Sequence, residues 1–202
     1  MKRHLNTYIT LALLLFALPA LAGGPDIGTK APDFTLTDVM GKTHSLKDYA
    51  GKVVVLEWIN YDCPFVKKHY NSGNMQKLQK KYTDQGVVWL AINSSAEGKQ
   101  GNFDNKEILK RSKAHKTNFS AYLKDADGKV GKLYAAKTTP HMFVINKEGD
   151  LVYAGAIDDI RSTKTADVDK ANNHVVAALD AVLAGKVVKL TSTKPYGCSV
   201  KY

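Results

Sequence analysis

Apolar and polar positions follow a readable order along the chain. Residues 52–59 (KVVVLEWI) are nearly all apolar and rich in β-branched side chains, the pattern of a strand buried on both faces. Residues 87–92 (VVWLAI) and 142–145 (MFVI) repeat it. Alternation over 34–37 and an answering stretch at 43–46, with Gly41 in the turn between, predict a short N-terminal hairpin. Pro64 stands where a first helical residue belongs, with Asp62 or Cys63 as the cap, and the helix breaks near Ser72-Gly73-Asn74 and restarts over 75–82. A charged, exposed helix is expected over 105–114, a short strand over 119–123 and a short helix over 130–136. Residues 147–150 form a hairpin turn leading to a returning edge strand at 151–154. Val175, Val176, Leu179 and Leu183 recur at helical spacing within 171–183. Residues 186–202 show no clear periodicity.

Alternating buried strands and helices, followed by an antiparallel pair, suit an α/β domain with a mixed central sheet and helices on both faces. The first residues concern the compartment. Lys2, Arg3 and His4 form a basic head, residues 9–21 are almost wholly apolar, and Ala20-Leu21-Ala22 places small residues where a signal peptidase reads. The alternative, a membrane anchor, asks for a span of about 20 apolar residues, and this stretch is shorter. Residues 1–22 are therefore expected to be a cleaved secretory signal, residues 23–187 the domain and residues 188–202 a tail. Export to a bacterial periplasm follows, with no stable membrane anchor after cleavage.

The formal net charge of +10 rests mainly on lysines spread among acidic residues, with Lys67-Lys68 and Lys80-Lys81 the only adjacent lysine pairs. That is a solvated surface and not the clustered basic stripe that nucleic acid requires. Of the 2 cysteines, Cys63 lies at a strand-to-helix turn and Cys198 in the tail. In an oxidising compartment an even, small count points to one disulfide. Cys63 ends a buried strand and opens a helix, where unpaired N–H groups and the helix dipole favour a thiolate. Lys67 adds to that influence and Asp62 opposes it. Pro195 and Gly197 make the tail a bent, mobile arm, able to bring Cys198 back to Cys63 either as a resolving thiol or as half of a permanent staple.

Residues 28–38 (GTKAPDFTLTD), 41–54 (GKTHSLKDYAGKVV), Cys63-Pro64 and 138–145 (TTPHMFVI) resemble the peroxiredoxin-like (AhpC/TSA, redoxin) branch of the thioredoxin superfamily. The similarity runs over about residues 28–183, closest to the subfamily whose first long helix opens on a Cys-Pro pair. It implies a thioredoxin-like fold with an added N-terminal β-hairpin, and thiol redox activity without an organic cofactor. It also implies a cis Thr139–Pro140 peptide against the active-site turn, leaving the Thr139 backbone to pair with an extended peptide.

The chain departs from the pattern in informative places. In the peroxiredoxin pattern P-x-x-x-T-x-x-C, Leu56 and Asn60 replace the Pro and the Thr, and Pro140 stands where an Arg precedes the late strand. Against thioredoxin's Cys-x-x-Cys, Cys63 takes the second position and Asn60 the first. These losses favour slow peroxide turnover or thiol–disulfide exchange. The expected site is Cys63 and Cys198, supported by Asn60, Asp62, Pro64, Thr139 and Pro140. Its partners are a peroxide or protein disulfide as substrate and an external thiol or disulfide protein as reductant. The other open reading is a non-enzymatic binding module stapled by Cys63–Cys198. His69 and His141 near Cys63 invite a copper site, but soft-metal binding asks for more thiolate than one Cys supplies, so no metal is expected. His44, His115 and His174 read as surface residues. Glu57 reads either as a buried carboxylate tuning Cys63 or as a paired edge residue, and Asp158-Asp159 as a carboxylate pair with no acid–base task.

Overall fold

A computed structural model describes residues 23–202. The expected signal segment 1–22 lies outside the described residues. Strands β1 (Thr35–Asp38) and β2 (Thr43–Ser45) form the N-terminal hairpin. They are followed by β3 (Val54–Trp58), α1 (Pro64–Asn71), α2 (Asn74–Thr83), β4 (Val88–Asn93), α3 (Asn105–Ala114) and β5 (Ala121–Lys124). The chain continues through α4 (Lys129–Leu133), β6 (Thr138–Thr139), β7 (His141–Ile145), β8 (Leu151–Gly155), α5 (His174–Leu183) and β9 (Cys198–Ser199). Seven strands form one sheet in the order β2-β1-β5-β4-β3-β7-β8, and β6 pairs with β9 apart from it. Within the sheet β3, β4 and β5 run parallel, while β7, β8 and the hairpin are antiparallel to their neighbours. This is the mixed, thioredoxin-like sheet that the resemblance implies.

The period-two rule of a strand explains the two cores. On β3, Val55 and Ile59 face one side with Trp89 and Ala91, against Val66, Tyr82, Ile108, Val175 and Leu179 from the helices. Val54, Leu56 and Trp58 face the other side with Leu90 and Ile92, against Phe34, Val130, Tyr134 and Phe143. Helix starts follow their caps: Asp104 accepts from the Glu107 N–H, and Asn173 accepts from the Val176 N–H. Gly73, with φ +73°, supplies the left-handed turn between α1 and α2 that most side chains resist.

Two expectations change here. The segment before α5 is a 3-10 turn at Thr165–Lys170, so the helix begins at His174. The tail, expected as a mobile arm, is held along its length. It runs beside the edge strand β8, with the Ala154 N–H donating to the Thr191 carbonyl and the Thr193 N–H to the Ala154 carbonyl. The Val200 N–H donates to the Lys137 carbonyl, and the Ala96 N–H to the Lys201 carbonyl. These bonds use an edge that would otherwise be open to other chains.

The central strand also buries a carboxyl group. Glu57 is fully buried and accepts from Trp89 Nε1 at 2.7 Å, Tyr70 OH at 2.8 Å and Gln79 Nε2 at 3.2 Å. Burial outweighs these bonds and lifts it from 4.5 to about 7. Between those values the folded chain holds a proton that the unfolded chain has lost, so stability falls as pH rises through that window. Denaturant unfolding of the wild type and of Glu57→Gln tests this. The wild type should lose about 3 kcal/mol relative to the variant between pH 4.5 and 7. Parallel pH profiles would show that Glu57 does not titrate there.

Candidate active site

Cys63 caps the N-terminus of α1, one turn beyond the carboxyl end of β3, and Pro64 takes the first helical position. Proline suits that position because its missing N–H would have no partner there anyway. No side chain caps this helix start, so its partial positive charge is left to the sulfur at the cap position. Asn60 holds the turn. Its Oδ1 accepts from the Asp62 N–H at 2.9 Å, its carbonyl accepts from the Cys63 N–H at 3.0 Å, and its Nδ2 donates to the Gln100 carbonyl at 3.2 Å. A Cβ on Gly101 would lie 2.5 Å from the Asn60 side chain, so only glycine lets the 94–104 loop close over it. At the place of thioredoxin's first cysteine, this chain therefore carries a buried amide that braces the turn and the 94–104 loop.

Asp62 does not act on the site as a lone charge. Arg111 from α3 donates to it through Nη1 at 2.8 Å, and is itself held by Glu107 at 2.7 Å. The sequence reading missed Arg111, which sits on a helix read only as charged and exposed. Lys67, expected to lend its charge to Cys63, points to solvent and makes no hydrogen bond to it.

The opposite wall is the Thr139–Pro140 step, whose peptide bond is cis as the resemblance implies. The Cys63 thiol donates to the Thr139 carbonyl at 3.0 Å. The backbone edge of Thr139, expected to be free for an extended peptide, is taken by the protein's own tail. Thr139 pairs with Cys198 and Thr138 with Ser199, antiparallel. The Cys198 N–H donates to Cys63 Sγ at 3.4 Å, and the two sulfurs stand 2.6 Å apart. A disulfide at ~2.05 Å needs only a small further approach. Cys63 has no exposed surface, whereas Cys198 is half-buried. Burial, together with the neighbouring Cys63, pushes Cys198 up to about 12, so it keeps its proton at neutral pH.

The other expected groups lie in different surroundings. His69 is bound to Asn74 and Tyr196, and burial pulls it down to about 4. His141 accepts the Lys137 N–H at 3.3 Å, and burial pulls it down to about 3. Neither ring hydrogen-bonds Cys63, and no group of three or more His, Cys, Asp or Glu side chains among the described residues is arranged to hold a metal. His44, expected on the surface, is buried between Asp38 and Tyr49, and His115 and His174 are half-buried. Lys68, expected in the solvated layer, is only 1% exposed and pairs with buried Asp158 at 3.1 Å. Lys68 and His69 find their partners far along the chain, in Asp158 and Tyr196, whereas His44 and His141 find theirs within six residues, across local turns.

The model of the AhpC/TSA family matches residues 27–154. Thiol-disulfide oxidoreductase ResA of Bacillus subtilis (strain 168) is 31% identical over 163 residues, spanning 75% of this chain and 86% of the relative. A hypothetical protein from Sinorhizobium meliloti 1021 superposes with a TM-score of 0.74 at 32% identity, over 89% of this chain and 96% of that one. The thioredoxin domain of a thiol-disulfide oxidoreductase from Bacteroides vulgatus, at 20% identity, has a TM-score of 0.52 over 73% of this chain and 98% of its own, a likeness of fold alone.

Gly197 carries the tail directly past the Thr139 carbonyl. A Cβ there would lie 2.1 Å from the Thr139 carbonyl oxygen, at a φ of +149° that side chains rarely adopt. In Gly197→Ala the tail should lift, and alkylation of Cys63 in the reduced protein should accelerate by tenfold or more, about 1.4 kcal/mol of local opening. Peptide mass analysis after timed iodoacetamide treatment measures it. An unchanged rate at Cys63 would mean that the tail is not what covers it.

Proposed function

This chain belongs to the AhpC/TSA family, and on that premise we propose that it is an exported thiol oxidoreductase in which Cys63 is the redox-active thiol and Cys198 its resolving partner. The observation that carries the reading is the meeting of two sulfurs, 2.6 Å apart, at a strand-to-helix turn. The helix start favours negative charge on Cys63, and Cys198 stands as the protonated neighbour. With a peroxide, Cys63 as thiolate attacks one oxygen. The O–O bond breaks, an alcohol or water departs, and Cys63 becomes a sulfenic acid. Cys198 then attacks that sulfur, the S–S bond forms and water leaves. With a disulfide, Cys63 forms a mixed disulfide and releases one thiol, and Cys198 releases the second. Either route leaves a Cys63–Cys198 bridge, which an external dithiol protein reopens with two electrons.

Asn60 and Pro64 set the turn, Thr139 and Pro140 the opposite wall, and Asp62 with Arg111 a neutral flank. Asn60 spends its oxygen on the Asp62 N–H and one amide proton on the Gln100 carbonyl, and its buried side chain is a poor stand-in for the missing threonine hydroxyl. That supports slow peroxide reduction or thiol–disulfide exchange over fast peroxidase activity. A purely structural staple is the weaker account, because backbone pairing and side-chain bonds already hold the tail without any bond between sulfurs. Export to the periplasm is our reading of residues 1–22, and the names of thiol-disulfide oxidoreductase relatives accord with a protein partner as reductant.

One equivalent of hydrogen peroxide, or of a small disulfide, added to the reduced full chain tests this by non-reducing peptide mass analysis. We expect a Cys63–Cys198 bridge in the wild type, no oxidant consumed by Cys63→Ser, and a dimedone-trapped sulfenic acid or a lasting mixed disulfide in Cys198→Ser. If Cys63 remains a thiol for hours with both oxidants, the oxidoreductase reading falls.

A further inference from the structure

Helix α1 carries a second group of buried polar side chains, which the redox steps do not use. Lys68 spends all three ammonium protons inside the protein: on Asp158 Oδ2 at 3.1 Å, the Ile160 carbonyl at 2.8 Å and the Tyr196 hydroxyl at 3.4 Å. The Tyr196 hydroxyl gives its one proton to Asp158 Oδ1 in a short hydrogen bond. Toward its other neighbours it can therefore only accept. His69 fits that requirement. Asn74 Nδ2 donates to His69 Nδ1 at 3.0 Å, which leaves the ring proton on Nε2, 3.3 Å from the Tyr196 oxygen. Asp158 Oδ1 also accepts the Ile160 N–H at 3.1 Å. Each of these donors and acceptors has a partner, and Lys68, His69, Asp158 and Tyr196 are all buried.

Such a cluster is costly to form and more costly to leave half made. Its composition says what it joins. Lys68 and His69 belong to the helix that Cys63 opens, and Asp158 lies just after β8. Tyr196 is the only member from the tail and sits two residues before Cys198. Lifting the tail would leave His69 Nε2–H and one Lys68 ammonium proton without partners and would take from Asp158 Oδ1 its shortest hydrogen bond.

Resting on the redox-pair reading above, we infer that Lys68, Asp158, His69 and Tyr196 form a latch that fixes the tail to α1 in the dithiol state, so that Cys198 is positioned at Cys63 before any bond joins them. These are positioning residues. Two thiols joined by a flexible arm meet at an effective concentration of roughly millimolar order, whereas groups held in place reach far higher values. The latch thus sets how stable the bridge is and how fast it closes. It also resists the opening that exposes Cys63. Weakening it should therefore have opposite effects on the two steps: first attack on Cys63 becomes faster, and closure by Cys198 becomes slower. A general loss of stability would not divide the effects in this way.

Tyr196→Phe removes the hydroxyl and keeps the ring that packs edge-on against Phe65 at 5.7 Å. Full-length wild type and variant are equilibrated with reduced and oxidised glutathione, and the bridged fraction is read by mass. The variant's bridge should be at least tenfold less stable, a potential about 30 mV less reducing. Its sulfenic acid should accumulate after peroxide, with initial oxidation of Cys63 no slower. A bridge constant within twofold of wild type overturns the latch while leaving the redox pair intact. A wild type that forms no bridge overturns both. If the variant does not fold, amide exchange on the reduced wild type decides. Protection of the Val200 N–H like that in β7 supports the latch, and exchange at the rate of a free chain overturns it.

Discussion

Antiparallel pairing of Cys198 with Thr139 is the contact on which the arrangement of the site depends. It brings the last residues of the chain onto the one short backbone edge beside Cys63. Several features follow from it. Gly197 must lack a side chain because the Thr139 carbonyl is already in contact range. The Cys198 N–H meets the Cys63 sulfur, and Cys63 loses its solvent exposure. The edge that the resemblance reserves for an extended peptide is filled from within by the protein's own tail.

Two buried ionisable clusters flank that contact, and they differ physically. Around Glu57, three neutral donors surround a carboxyl group with no cation, so burial dominates and the proton is retained up to about 7. Around Asp158, a lysine supplies the countercharge and a tyrosine the shortest bond, which keeps an ion pair affordable in the interior. The first cluster ties β3 to β4 and the paired helices. The second ties α1 to the tail. Both stand on elements that converge on Cys63, so the site is built on packed scaffold even though one of its sulfurs comes from an irregular segment.

Much of this was legible in the sequence, and the limits have physical causes. The β-branched runs at 52–59 and 87–92 led directly to the central strands, since burial on both faces leaves no polar position to confuse the pattern. The Ser72-Gly73 break and the Pro64 helix start were equally readable, because they rest on backbone rules local to one or two residues. Cys63 was readable from its place between a buried strand and the Pro64 helix start, and Asn60 and the Thr139–Pro140 wall were found through motif resemblance. Arg111 was not, because a charge that neutralises a distant aspartate looks like any other exposed helix charge. Lys68, His44 and Asp158 were misplaced or left without a role for the same reason. The burial of Lys68 and Asp158 is decided by partners far along the chain and that of His44 by a hairpin and turn that bring Asp38 and Tyr49 to its ring, and no periodicity carries that information. The tail lacked periodicity because it pairs over two residues only and otherwise runs as isolated contacts along β8.

The docked tail also constrains the chemistry that the site can perform on the proposed reading. An incoming protein disulfide must displace the tail from the Thr139 edge, since both need the same backbone groups, whereas a small oxidant needs only a transient opening. Reduction of the bridge meets a different barrier. The half-buried sulfur of Cys198 is the one a reductant can reach, and attack there expels Cys63 toward the helix start that favours its charge. Attack on Cys63 would have to expel Cys198, a poor leaving group given how strongly it holds its proton beside Cys63. On that reading oxidation enters through the covered cysteine and reduction through the half-buried one. The hydrogen bonds that close the first path hold the second sulfur in the position from which the bridge is made and reopened.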